Sequence, residues 1–252
     1  MNELDMFPGP PDGGIDDLAA FWQHFSGSEE PSNRDKMIYL TMREVALVGP
    51  ATFNTSVVCD TLGISYPMVN YYFGNRDGLV AETAHVTYKF YVEKLWAGVQ
   101  AAPPTPLDRL RAWMSSHMRL NVEIRGWGAV LNYPRFSSTV ETLLEERFGQ
   151  DHRLHFELNM GRLAQLVMDV RDDRVSDYPY DVGEIPRQDY LDSPDVLRLT
   201  TVLAWGTLGV AVWRSGRHMP SKGVPELAAM AERLVDDHFD TLVDLVRTTF
   251  GR

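Results

Sequence analysis

Cysteine is nearly missing from this 252-residue chain: Cys59 is the only one, so neither an intrachain disulfide nor a cysteine-rich zinc site can form. A reducing compartment is the matching environment. Lys and Arg are absent from the first 32 positions, which carry Glu3, Asp5, Asp12, Asp16, Asp17, Glu29 and Glu30 instead. A secretory signal needs basic residues ahead of an apolar run, so the cytoplasm is the expected location. Uninterrupted apolar runs are lacking too. The longest apolar stretch, Val196 to Trp213, contains Arg198, Thr200, Thr201 and Thr207 and reads as a buried helix, with no membrane partner expected. The β-type alternation of apolar and polar residues persists nowhere. Apolar residues nonetheless make up 44% and charged residues 23%, so the chain has the material of a folded core.

A net charge of -11 argues against a nucleic-acid partner when taken alone, because neutralising phosphates requires Lys and Arg. Its distribution changes the reading. The acidic excess lies in the first 32 residues and after residue 80, while residues 33–80 balance Arg34, Lys36, Arg43 and Arg76 against Asp35, Glu44, Asp60 and Asp77. Residues 1–32 also hold Pro8, Pro10, Pro11 and four glycines, the composition of an arm. Within it, Ile15, Leu18, Trp22 and Phe25 have the spacing of one short amphipathic helix.

From residue 33 the periodicity is helical almost throughout, and the expected class is all-α. Asn33 is placed to cap a first helix whose Met37, Leu40, Met42, Val45 and Val48 recur at helical spacing until Gly49-Pro50 ends it. Asn54 caps a short second helix with Val58 and Leu62 facing inward. Gly63 supplies a left-handed turn, and Ser65 caps a third helix with Pro67 in its first turn. Further helices are expected at Arg76 to about Val99, Leu107 to Glu123, Thr139 to Val170 with a kink near Gly149, Pro194 to Arg214, and Val224 to Phe250. The polar segment between Asp172 and Ser193 has no periodicity, and a connection of that length is unusual in a compact domain.

Two short helices joined through a glycine are the helix-turn-helix arrangement, whose second helix offers its first turns to the major groove. The segment from Gly49 to Leu79, GPATFNTSVVCDTLGISYPMVNYYFGNRDGL, has the residue types this needs: a turn residue tolerant of positive φ, small or branched inward positions, and a polar and aromatic outward face. Over about Arg34 to Val99 it resembles the tetracycline-repressor (TetR) family of transcriptional regulators. The resemblance is carried by the glycine ending the first helix, the Gly-Ile-Ser turn, the aromatic third helix ending in Phe73, and the Asn-Arg-Asp-Gly-Leu run that opens the fourth.

By position, the resemblance implies that Asn54 and Thr55 hold phosphate, that Ser56 reaches a phosphate or base edge, and that Tyr66, Pro67 and Met68 contact bases. Asn70, Tyr71 and Tyr72 extend the same face, and Arg76 stands where the family usually has a phosphate-gripping lysine. Asn70 and Tyr72 depart from the family's usual tyrosine and histidine. Beyond the acidic arm that composition marks over 1–32, the resemblance further implies a three-helix DNA-binding domain over 33–80 and a larger helical domain over 81–252 that binds a small, largely apolar effector and forms a homodimer. Trp113, His117, Met118, Trp127, Phe136, Phe156, Met160 and Trp205 are the candidate ligand residues, although aromatic and Met residues at helical spacing also build plain core. Ala204, Gly206 and Gly209 let a second helix come close, with Leu227, Leu234, Phe239, Leu242 and Leu245 of the last helix as interface partners.

The expected function is therefore a one-component regulator, released from a near-palindromic double-stranded operator by its effector, with no cofactor and no metal. Repression is the family's usual sign; activation and corepression stay open. A dimeric ligand-binding protein of the same fold with weak or lost DNA binding is the alternative. Asp151, His152 and His155 in DHRLHFE would support a metal-dependent helical enzyme, but no further ligand is fixed by the sequence. Neither a Ser-His-Asp context nor a phosphate-cradling glycine loop is present.

Overall fold

A computed structural model of the chain describes residues 31–123, 127–176, 190–215 and 225–251, with the backbone alone at 46–47, 119–123, 127–129, 135–136, 212–215 and 225–232. Every regular element among these residues is helical. In chain order they are α1 (Asn33–Val48), α2 (Thr55–Leu62), α3 (Pro67–Phe73), α4 (Arg76–Gln100), α5 (Pro106–Glu123), α6 (Trp127–Asn132), a 3-10 turn (Tyr133–Phe136), α7 (Ser138–Asp172), α8 (Pro194–Ser215) and α9 (Pro225–Thr249). None of the described helices is long and apolar enough to cross a membrane. The helix expected near residues 15–25 and most of the 172–193 segment lie outside the described residues.

The described chain forms two compact units. One comprises the residues through Tyr91 together with Glu123–His152, and the other comprises Val92–Val122 and Arg153–Arg252. This division differs from a boundary near residue 80, because α4 and α7 each contribute to both units.

In the first unit, α1 is capped by Ser32 rather than by Asn33, which is its first helical residue. Ser32 and Asp35 cap each other reciprocally, the Ser32 hydroxyl accepting from the Asp35 amide and the Asp35 carboxylate accepting from the Ser32 amide. Met37 to Met42 are all buried, so α1 is covered on more than the one face its periodicity suggested. It packs on both α2 and α6. Val48, expected inward, is exposed. The α4 residues Leu79 to His85 are also buried without interruption, including Glu82, which pairs with Arg34.

In the second unit α8 packs on α9, where the Gly206 carbonyl lies 3.2 Å from His238 Nε2 and a Cβ on Gly206 would touch Leu242. Phe239 and Leu242, expected at an intermolecular interface, are buried inside the chain instead. The end of α7 is fastened by Asp169, whose carboxylate accepts from the amide and hydroxyl of Ser176 and from Gln165 Nε2. Trp96 Nε1 donates to Asn159 Oδ1 at 2.9 Å, tying α4 to α7 within the same unit.

Candidate functional site

The α2–α3 pair is built from short-range chemistry. Asn54 caps α2, its Oδ1 accepting from the Ser56 amide at 2.9 Å. Thr55 is buried beneath it while Asn54 and Ser56 face solvent. Gly63 ends α2 in the left-handed conformation, φ 64° and ψ 29°, and its amide bonds the Asp60 carbonyl. The backbone then turns directly into α3, with Met68 N donating to Ser65 O and Val69 N to Tyr66 O. Ser65 does not cap this helix through its side chain; Tyr66 occupies the capping position and makes no side-chain bond to it. Pro67 sits in the first turn, where no amide donor is needed.

One side of α3 is anchored and the other is open. Val69 and Phe73 are fully buried, whereas Tyr66, Pro67, Asn70 and Tyr71 are exposed and Met68 and Tyr72 are half-buried. Tyr71 is 78% exposed, the most exposed large apolar side chain among the described residues. Its ring meets Tyr72 edge-on at 5.0 Å. A large aromatic surface left in water by a helix whose inner face is well packed marks a binding surface more readily than a folding device.

Arg76 is placed differently from the exposed phosphate contact that the sequence implied. Its Nε donates to the Phe53 carbonyl at 3.3 Å, its Nη2 to the Pro50 carbonyl, and its Nη1 pairs with Asp77 Oδ1 at 2.7 Å. The guanidinium also lies 5.5 Å from the centre of the Phe53 ring. This side chain pins the loop between α1 and α2.

The candidate ligand residues differ in burial. Trp113, His117 and Met118 are buried on α5, Met160 is half-buried, and Phe156 and Trp205 are exposed. The side chains of Trp127 and Phe136 lie outside the described residues. Trp113 and His117 stack with ring centres 5.2 Å apart, and burial pushes the His117 pKa down to about 3. A shallow surface groove of about 320 Å³, lined by Asn75, Ser138, Thr139, Thr142 and Leu143, holds none of them. Asp151 Oδ2 is engaged by His85 Nε2 at 3.0 Å and Lys89 Nζ at 3.2 Å, an ammonium neighbour that opposes a metal cation. No potential metal-holding group of three or more His, Cys, Asp or Glu side chains is found among the described residues.

A cluster with little local sequence signature surrounds the end of α3. Arg147 of α7 donates through Nη2 to the Phe73 carbonyl at 2.8 Å. Arg34 lies 5.6 Å from the centre of the Phe73 ring and pairs with Glu82. Burial raises the Glu82 pKa, and the charges of Arg34 and Arg147 pull it back. The only sequence signal was a lone acid, Glu82, inside an otherwise uncharged run.

No family model and no curated protein matches the chain. Among solved structures it is similar to one described as a protein with unknown function from Rhodococcus sp. RHA1. The TM-score is 0.55 and the identity 14%, over 86% of this chain and 99% of that one. This likeness shows the helical fold.

Proposed function

We propose that the chain is a TetR-type, cytoplasmic one-component transcriptional regulator, in which residues 33–80 read operator DNA and the rest binds a small effector and dimerises. The observation that carries this reading is the outward row of α3: Tyr66, Pro67, Asn70 and Tyr71 lie in solvent on a helix fixed from behind by buried Val69 and Phe73. Aromatic, amide and apolar groups on such a face suit base edges and thymine methyls. Asn54 and Ser56 at the start of α2 add polar groups and a helix amino end suited to phosphate.

Dimerisation is supported by the apolar surface of α8 and α9. Val202, Trp205 and Gly209 recur along the open side of α8, and Leu234 and Leu245 are exposed on α9. A two-fold pair would carry its reading helices to major grooves about 34–36 Å apart, so the operator should be near-palindromic. Effector control is then a matter of spacing. A compound preferring a subunit arrangement that misplaces the two helices lowers operator affinity by its differential affinity for the two states.

The test is to sequence fragments that the purified protein selects from a random DNA pool. Enrichment of an inverted repeat supports the regulator. Failure to enrich any sequence favours a dimeric ligand-binding protein of the same fold. That second reading draws on the internal engagement of Arg76 and on the zero net charge of residues 33–80.

A further inference from the structure

We infer that Arg147 is a positioning residue for the reading surface: by holding the last carbonyl of α3, it fixes the pose of the exposed row of Tyr66, Pro67, Asn70 and Tyr71. The inference rests on the DNA-binding reading above.

A helix leaves its final carbonyls without partners, and one of only seven residues has few internal bonds to resist fraying. Within α3 the closing bond is from the Gly74 amide to the Asn70 carbonyl. Phe73 O receives its donor from outside, at 2.8 Å, from a residue 74 positions along the chain. A guanidinium is the right group there, because its charge also complements the negative end of the helix dipole.

The surrounding residue types leave room for it. A Cβ on Gly78 would come within 2.1 Å of Phe73 O and 2.9 Å of Arg147 Nη1, and one on Gly74 would come within 3.1 Å of Arg147 Nη2. Both glycines therefore open the slot in which the guanidinium meets the carbonyl. On the ring side of the same residue, Arg34 faces Phe73, and Arg34 is held by Glu82. Phe73 is thus gripped at both its ring and its carbonyl by two arginines from helices other than its own. Arg147 is itself exposed while its bond to Phe73 is part-buried, so replacing it removes the grip without opening the core.

The experiment compares the full-length wild type with Arg147→Met, which keeps the aliphatic stem, and Arg147→Lys, which keeps charge and a donor. Amide hydrogen exchange of the free protein is followed by mass spectrometry. Binding is titrated against a fragment enriched by the wild type and against random duplex. Loss of a charge-assisted bond should speed exchange over 67–78 by about tenfold in Arg147→Met. Peptides from α5 and α8 should be unchanged, and the ratio of selected to random affinity should fall by about as much. Arg147→Lys should recover part of both. Unchanged exchange over 67–78, or a rise spread evenly over the chain, would overturn the inference. Weakened binding with unchanged exchange would also overturn it, making Arg147 a direct DNA contact. If the wild type enriches no fragment, the regulator reading falls, and the exchange result alone decides whether Arg147 fixes α3.

Discussion

His117 is buried on α5, and its pKa of about 3 lies below the ordinary value of 6.5. Between those values the unfolded chain binds a proton that the folded chain excludes. Stability therefore falls on acidification through this window and is unaffected by the group above it. Comparing His117→Leu with wild type isolates this one residue from the carboxylates. From pH 6.5 down to 4.5 the difference in unfolding free energy should move in the variant's favour by about 2.3 kcal/mol in total, the slope steepening toward ~1.4 kcal/mol per pH unit at the acid end. Denaturant unfolding across that range measures it, and a difference independent of pH would contradict the buried, neutral ring. Arg76 makes the second test at this scale. Removing its guanidinium strips donors from the Pro50 and Phe53 carbonyls and a partner from Asp77, so Arg76→Ala should cost about 1–3 kcal/mol of stability. Thermal unfolding would show it even without DNA. An unchanged melting temperature would return Arg76 to the phosphate role its position implied.

The turn between α2 and α3 depends on Gly63, where an added Cβ would meet no atom within 4 Å. The penalty of Gly63→Ala is therefore purely conformational. About 1 kcal/mol is expected, with Gly63→Asn milder because Asn tolerates positive φ. A cost several times larger would mean that the turn is also pressed by packing. On α3, Tyr66→Ala and Met68→Ala should leave binding to random duplex intact while reducing discrimination at individual operator positions by about 1–3 kcal/mol. Competition gel shifts resolve the two effects. These elements were legible because glycine, proline and Asn54 punctuate them locally. Other elements were set by their surroundings. The α1 periodicity could not reveal that α6 covers a further face, and α6 itself, six residues followed by Tyr-Pro-Arg-Phe, is too short to show a period. Gly149 does not interrupt α7, which runs as one helix from Ser138 to Asp172. Residue type foresaw the solvent-facing row of α3, but it did not distinguish buried Trp113 from exposed Trp205, since either environment accepts an indole. The Arg147–Phe73 bond joins residues too far apart in sequence for any local pattern to suggest it.

At the scale of the whole chain, the surface around Trp205 is the best candidate for association, and Trp205→Glu tests it. Placing a carboxylate in an apolar contact should weaken a dimer by about 2 kcal/mol or more. Sedimentation at micromolar concentration should then find the variant monomeric and the wild type paired. A monomeric wild type would remove the two-fold geometry on which operator spacing depends. The division into compact units crosses α4 and α7, so removing everything after residue 80 would cut through α4 and omit the α7 residue that bonds α3. A further opening comes from the only thiol. Cys59 is buried, and burial together with neighbouring Asp60 raises its pKa, which suppresses the reactive thiolate. The native thiol should therefore react slowly with maleimide and methanethiosulfonate reagents. Spin labels attached to one cysteine engineered at a surface site would report inter-label distances in frozen solution without first mutating the natural sulfur.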